Sequence, residues 1–272
     1  MRDTTMRIAC FQGPARADTP QGNLALLART AGEARAGGAE LLVAPELFLT
    51  GYAIGAEAVG RLAEPVGGAS IGEARRIAAE TGIALVFGFP ERDGAQVYNA
   101  AVAIGADGAV LASYRKTHLF GDVDRAQFFA GDAAPGVFEI GGLKAGLLIC
   151  YDVEFPEAVR TLALRGADLA IVPTALMQPF DVVARTIVPA RAYENQMFVA
   201  YANRCGREAP FDYCGLSCVV GPDGSELARA GRGEELVFAD LDRAALERSR
   251  QLNPYLRDRR PDLYGTLASV QP

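Results

Sequence analysis

Lysine is nearly absent from this chain. Of 27 basic residues in a chain of 272, only Lys116 and Lys144 are lysine, and His118 is the single histidine. Zinc takes about four ligands, usually Cys and His, so one histidine supports no metal site. The five cysteines (Cys10, Cys150, Cys205, Cys214 and Cys218) are odd in number and irregular in spacing, unlike a secreted disulfide framework. Cys214 and Cys218 lack the second pair that a metal clamp needs. Positive charge is also short: the net charge is -6 and the pI about 5.0, which excludes a general nucleic-acid binder. The arginines between Arg243 and Arg260 are diluted by Asp240, Asp242, Glu247, Asp258 and Asp262, and read as a solvated face. No run approaches the roughly 20 apolar residues that span a bilayer. The opening Met-Arg-Asp-Thr-Thr-Met-Arg lacks the apolar core of a signal peptide. The expectation is a cytoplasmic protein with no membrane or nucleic-acid partner.

Half the residues are hydrophobic and 22% are charged, enough for a large core in one domain spanning 1–272. Apolar strand-like runs (6–12, 41–44, 83–89) alternate with helical patterns (23–36, with Asn23 as cap, and 70–81, capped by Ser70 and stopped by Gly82). Two strand-like runs, 99–104 and 110–115, then flank Asp107-Gly108, a strong hairpin cue. Further strands are expected over 145–149, 169–173, 197–202, 215–220 and 226–230. Helices are expected from Pro156 and over 182–194, the latter interrupted at Pro189. The segments AVAIGADGAVLASY and SCVVGPDGSELARA match in form. That pattern predicts two related α/β halves whose helix-free sheet faces pack together as a four-layer α-β-β-α sandwich. A polar tail, 253–272, carries Pro254 and Pro261 and is expected to wrap over the body or a partner.

Three positions carry chemistry. Cys150 ends the run Leu-Leu-Ile-Cys, just before a helix, where unpaired backbone N–H groups favour a thiolate. A cysteine nucleophile needs a base. His118 is one candidate, two residues from Lys116 and on the same side of an extended segment. Glu46 is the other: it lies just beyond a buried strand among Leu47, Phe48 and Leu49, where desolvation raises a carboxyl pKa toward a useful range. Lys116 ends a third strand and has the compact charge suited to a developing oxyanion. Lys144, by contrast, sits in a turn and reads as exposed. All three chemical positions fall at strand C-termini, where open α/β sheets place their sites.

Pro45-Glu46, Arg115-Lys116-Thr117-His118-Leu119-Phe120 and Ile149-Cys150-Tyr151-Asp152-Val153-Glu154-Phe155-Pro156-Glu157 resemble, in order and rough spacing, the three signature motifs of the nitrilase (carbon–nitrogen hydrolase) superfamily. The resemblance continues through Val172-Pro173-Thr174-Ala175 and Tyr201-Ala202-Asn203-Arg204-Cys205-Gly206, covering nearly the whole chain. It implies a Glu46–Lys116–Cys150 triad, an oxyanion site completed by the Tyr151 N–H, the four-layer sandwich, a homodimer extending the layers, and no cofactor. It also implies a supporting role for Glu154, bracing the lysine or its loop. Asp124 stands where the family often has a second glutamate. The wording around Gly121-Asp122-Val123-Asp124-Arg125 and Tyr213-Cys214-Gly215-Leu216-Ser217 resembles 5-aminovaleramide amidases and R-stereoselective amidases. That implies hydrolysis of a small aliphatic amide by water, with an amino group on the acyl part as a further option. Tyr52 and Ala175 are candidate substrate contacts, and Asp122, Asp124 or Asp181 would pair with such an ammonium. Competing readings are acyl transfer or nitrile hydrolysis on the same site, a Cys–His enzyme on this fold, and a noncatalytic interaction protein.

Overall fold

The computed structural model describes residues 5–14 and 19–265. The first sheet holds β1 (Thr5–Gln12), β2 (Leu41–Val43), β3 (Ala84–Asp93), β4 (Gln96–Ile104) and β5 (Val110–Arg115). The second holds β6 (Val137–Ile140), β7 (Leu143–Leu147), β8 (Leu169–Pro173) and β9 (Phe198–Ala202). A separate hairpin follows, β10 (Cys205–Glu208) and β11 (Phe211–Cys214). The chain then returns to the second sheet with β12 (Cys218–Val220) and β13 (Glu226–Arg229), and to the first with β14 (Glu235–Asp242). The helices are α1 (Pro20–Ala36), α2 (Ala56–Leu62), α3 (Ala69–Thr81), α4 (Gly121–Arg125), α5 (Pro156–Leu164), α6 (Val188–Asn195), α7 (Arg243–Leu252) and α8 (Tyr255–Asp258).

Strand order is β14-β1-β2-β3-β4-β5 in one sheet and β13-β12-β9-β8-β7-β6 in the other. Each sheet has three parallel strands at its centre, β1-β2-β3 and β7-β8-β9, followed on one side by an antiparallel hairpin. The two sheets are therefore the same design used twice. The two hairpin turns repeat the same bonds: Gly105 N–H donates to the Ala109 carbonyl and Gly221 N–H to the Ser225 carbonyl, each at 2.8 Å. Gly108 and Gly224 both adopt φ +80°, a conformation that favours glycine.

Strand periodicity sorts the core into layers. In the first sheet Ile8, Cys10, Leu41, Val43 and Val86 point toward the second sheet. Ala9, Leu42, Leu85, Phe87 and Phe89 point the other way, onto Leu24, Leu27 and Ala31 of α1 and Ile71, Ala74 and Ile77 of α3. On the far side, Val159 and Leu162 of α5 and Val188 and Ala192 of α6 cover the second sheet. The result is the four-layer α-β-β-α sandwich. Because the central parallel strands are buried on both faces, they read in sequence as continuous apolar runs.

Several details depart from sequence expectation. The cap of α1 is Thr19, whose hydroxyl accepts from Gly22 N–H at 3.1 Å, with Pro20 in the first turn. Asn23 instead lies inside the helix, buried, and donates to the Leu49 carbonyl at 2.9 Å. Gly68, not Ser70, precedes α3. The segment before Pro189 forms a π-helical turn, 183–187, so the interruption falls where proline removes a donor. The β10–β11 hairpin, α2, β6 and β14 have no counterpart in the sequence pattern: each is short or carries charged residues on its exposed positions. Of the C-terminal segment, α8 sets Tyr255 edge-on to Tyr193 of α6, ring centroids 5.7 Å apart, so the segment lies over the body. Residues 266–272 of the expected tail lie outside the described residues. Among the described residues no helix is long and apolar enough to cross a membrane.

Leu241 of β14 is fully buried between the sheets. Leu241→Ala is expected to destabilise the fold by about 2–5 kcal/mol in chemical denaturation, the usual cost of a leucine-sized core cavity.

Candidate active site

The end of β2 delivers Glu46. Gly88 N–H donates to the Pro45 carbonyl at 3.0 Å, and Glu46 N–H donates to the Thr174 carbonyl of the opposite sheet at 3.3 Å. The turn is strained: Leu47 has φ +47°, rare for a residue with a side chain. Buried Arg204 holds it, its guanidinium donating to the carbonyls of Glu46 and Leu47. The backbones here approach so closely that a Cβ on Gly88 would lie 2.3 Å from the Leu47 nitrogen.

Beyond β5 comes Lys116, fully buried, with its backbone N–H on the Asn99 carbonyl at 2.8 Å. Its ammonium donates to Glu46 Oε1 at 2.8 Å and to Asp124 Oδ2 at 2.7 Å. Asp124 also accepts from Phe120 N–H at 2.9 Å and, through Oδ1, from the Tyr52 hydroxyl at 2.8 Å. Glu46 Oε1 takes a second donor, Asn99 Nδ2, at 2.7 Å. Glu46 Oε2 is buried with no protein partner among the described residues. Burial pushes the Glu46 carboxyl up; Lys116 pulls it down and Asp124 pushes it up again, with a net rise. Burial alone would lower the Lys116 pKa, but Glu46 and Asp124 outweigh it and the ammonium is held well above its usual range.

Cys150 opens a tight 3-10 turn, 150–154, after β7 and has φ +47°, a second strained non-glycine residue. Burial pushes its thiol well up, the Glu46 charge adds to that, and Lys116 and a hydrogen bond from the Ala175 backbone act in the opposite direction. The turn is fastened by Asp152, which is fully buried. Its carboxylate accepts from the Ile149 N–H and the His118 N–H, each at 3.0 Å, and from the hydroxyls of Thr117 (3.0 Å) and Tyr114 (3.1 Å). The His118 ring lies with Nδ1 2.7 Å from Asp152 Oδ1 and stacks on Phe155 at 4.0 Å. The histidine is thus tied to the structural carboxylate and its neighbouring ring. Asp152 joins the segment after Lys116 to the turn that carries Cys150.

A cavity of about 190 Å3 opens onto Cys150, lined by Tyr52, Phe120, Tyr151, Glu154, Leu176, Met177 and Phe180. This is below the roughly 300–1,000 Å3 of drug-sized sites. Of the remaining sequence candidates, Ala175 is buried beside the thiol. Asp122 is exposed on α4, and Asp181 pairs with Arg232, which holds its carboxyl below the usual range. Neither lines the cavity. The Glu154 carboxylate makes no hydrogen bond to Lys116; Arg191 reaches only its backbone carbonyl, at 2.7 Å. Asn99, Arg204 and Asp152 are site residues that no sequence pattern singled out. The signal available for two of them was a polar residue opening an apolar strand-like run (Asn99) and a basic residue two positions after one (Arg204). Among the described residues no group of three or more His, Cys, Asp or Glu side chains is placed to hold a metal ion.

The carbon-nitrogen hydrolase family matches residues 7–251, and the chain belongs to it. A hydrolase in the pqqF 5'region of Pseudomonas protegens is 52% identical over 97% of this chain and 92% of its own length. An (R)-stereoselective amidase of a Pseudomonas species is 39% identical over 85% of this chain and 83% of its own. A solved structure of an amidase variant from Nesterenkonia sp. AN1, with the acetamide moiety of fluoroacetamide added at its active-site cysteine, superposes with a TM-score of 0.83 at 40% identity, covering 95% of each chain. With this fold and these relatives, the protein is a hydrolase of amide C–N bonds.

Gly88→Ala forces a methyl group onto the backbone that presents Glu46. It is expected to cost about 1–3 kcal/mol of stability, as overpacking does, and to lower amide turnover at least about tenfold, because small misplacements of reacting groups are costly. Denaturation and ammonia-release assays read the two effects.

Proposed function

We propose that the protein hydrolyses a small aliphatic carboxamide to its carboxylate and ammonia through a thioester on Cys150, with Glu46 as general base and Lys116 as oxyanion stabiliser. The observation that carries this reading is the unpaired Glu46 Oε2. That oxygen belongs to the carboxylate gripped by Lys116 and has no partner among the described residues, and the charge of this carboxylate acts on the thiol of Cys150, onto which the small cavity opens. Buried polar atoms without partners are rare in native proteins and call for an explanation, commonly a catalytic one.

In the first stage the Cys150 thiol gives its proton to Glu46 as its sulfur attacks the amide carbon. Charge develops on the carbonyl oxygen, which the Lys116 ammonium and the Tyr151 N–H stabilise. The C–N bond then breaks and Glu46 returns the proton to the departing nitrogen, releasing ammonia. In the second stage Glu46 takes a proton from water, the hydroxide adds to the thioester, and the C–S bond breaks. The proton goes back to sulfur. A thiol held above its usual pKa rests neutral, so base and nucleophile act together rather than through a preformed thiolate. Acyl transfer to an added amine or hydroxylamine shares the first stage, and a nitrile would meet the same groups.

Cys150→Ala is expected to abolish ammonia release from amides such as valeramide, and Glu46→Gln to lower it by at least about a hundredfold, the scale of general-base catalysis. The pH profile carries a further sign. Glu46 must be ionised to accept a proton, and its pKa is raised, so on acidification the base form is lost earlier than for an exposed glutamate. The acidic limb of kcat/KM is therefore expected above the ordinary value of about 4.3; a limb at or below it would remove Glu46 as the base.

We also propose a homodimer. Leu164 and Tyr193 on α5 and α6, Leu252 at the end of α7 and Leu263 in the C-terminal segment are large apolar side chains exposed to solvent. Apolar surface clustered on one layer supports association. Sedimentation at micromolar concentration is expected to give twice the 28.8 kDa chain mass, and a monomer there would refute the proposal.

A further inference from the structure

Glu154 is the one charged residue lining the cavity at Cys150. It is half-buried, and among the described residues its carboxylate has no hydrogen bond or ion pair. The two cations nearest to it in effect, Lys116 and Arg191, are committed elsewhere. Lys116 sits between Glu46 and Asp124. Arg191 donates to Glu194, to the Val153 carbonyl and to the Glu154 carbonyl. A carboxylate facing a small cavity without a partner carries an uncompensated desolvation cost. Burial accordingly pushes the Glu154 carboxyl up, with Lys116 and Arg191 opposing.

The rest of the cavity suits the same ligand. Phe120 stands edge-on to Tyr151 at 5.3 Å and to Phe180 at 5.9 Å, forming an aromatic wall. Leu176 and Met177 complete an apolar lining. Aromatic faces attract cations, and a carboxylate supplies the directional acceptor. An apolar wall for methylenes with one acidic group is the complement of an alkyl chain bearing an ammonium. The acidic groups outside the cavity do not compete: both Asp124 oxygens are engaged, Asp181 is neutralised by Arg232, and Asp122 is exposed.

We infer that Glu154 is the specificity residue of this site, selecting amides whose acyl chain carries an ammonium and rejecting those whose acyl chain ends in a carboxylate. The inference rests on amide hydrolysis at Cys150 as proposed above, but it concerns binding and is testable without turnover.

Three amides of matched length serve as probes: 5-aminovaleramide (cationic), valeramide (neutral) and the monoamide of glutarate (anionic). In the wild-type protein kcat/KM is expected to fall in that order, with about ten- to a hundredfold between cation and neutral, the range of one charge-assisted hydrogen bond. Glu154→Gln should collapse the cation-to-neutral ratio toward one. Glu154→Arg should invert the order and favour the anionic amide, a gain that a merely bracing role would not produce. Calorimetric binding to Cys150→Ala, with and without Glu154→Gln, reads the same ratios independently of catalysis. If valeramide is hydrolysed but the ratios are unmoved in both variants, the inference is overturned and the hydrolytic reading stands. If no amide is turned over yet the binding ratio still depends on Glu154, the hydrolytic reading fails and the specificity assignment survives. Equal loss for all three amides in turnover and binding would make Glu154 a structural brace.

Discussion

Everything at this site depends on one ammonium buried between two carboxylates. Lys116 is out of contact with solvent, as are Glu46 and Asp124. Charges so placed are tolerable only together: without the ammonium, two carboxylates would face each other uncompensated in a medium that solvates them poorly. The arrangement is also asymmetric. Asp124 has both oxygens occupied by Lys116, Tyr52 and a backbone N–H. Glu46 has one oxygen saturated and one open. Two carboxylates share one positive charge, and burial raises the proton affinity of Glu46, the less satisfied in hydrogen bonds. In the mechanism proposed above, that carboxylate is the proton acceptor, and no histidine takes part.

The two sheets meet where this trio sits. Glu46 comes from the first sheet, yet its N–H is held by Thr174 of the second, and Arg204, beyond β9, clamps its carbonyl. Lys116 leaves the edge of the first sheet, and Asp152 ties the following segment to the turn of the second that carries Cys150. The site is a seam between duplicated halves. The strained φ angles of Leu47 and Cys150 lie on its two sides, where the surrounding hydrogen bonds can sustain conformations that isolated chain would not adopt.

Much of this was legible in the sequence. The buried parallel strands announced themselves as short apolar runs, and the paired Asp-Gly turns exposed the duplication. Glu46 and Cys150 were visible because each follows such a run, and Lys116 because lysine is so scarce and it ends a strand. What stayed hidden has a common cause. Asn99, Arg204 and Asp152 act through partners 34 to 158 positions away in the chain, a distance no local pattern encodes. For Glu154 the family resemblance implies only a brace for the lysine or its loop. Its orientation toward the cavity is a property of the 3-10 turn that only coordinates reveal. The strand β14 was masked by its charge-rich surroundings, since its alternate exposed positions dilute the apolar signal.

That last strand has a consequence for how the protein comes into being. β14 pairs along its whole length with β1, from Thr5 opposite Asp242 to Gln12 opposite Glu235. The first sheet's outer edge is therefore left unpaired during synthesis until β14, more than 220 residues after β1, has been made. Gln12, at the end of β1, reaches across to the Gly231 carbonyl and the Ser217 N–H, so the same delay applies to the packing around the second sheet. A ribosome making this enzyme extrudes Glu46, Lys116 and Cys150 well before the frame that locks them exists. The nascent chain carries an open sheet edge, the feature that recruits chaperones and invites mispairing.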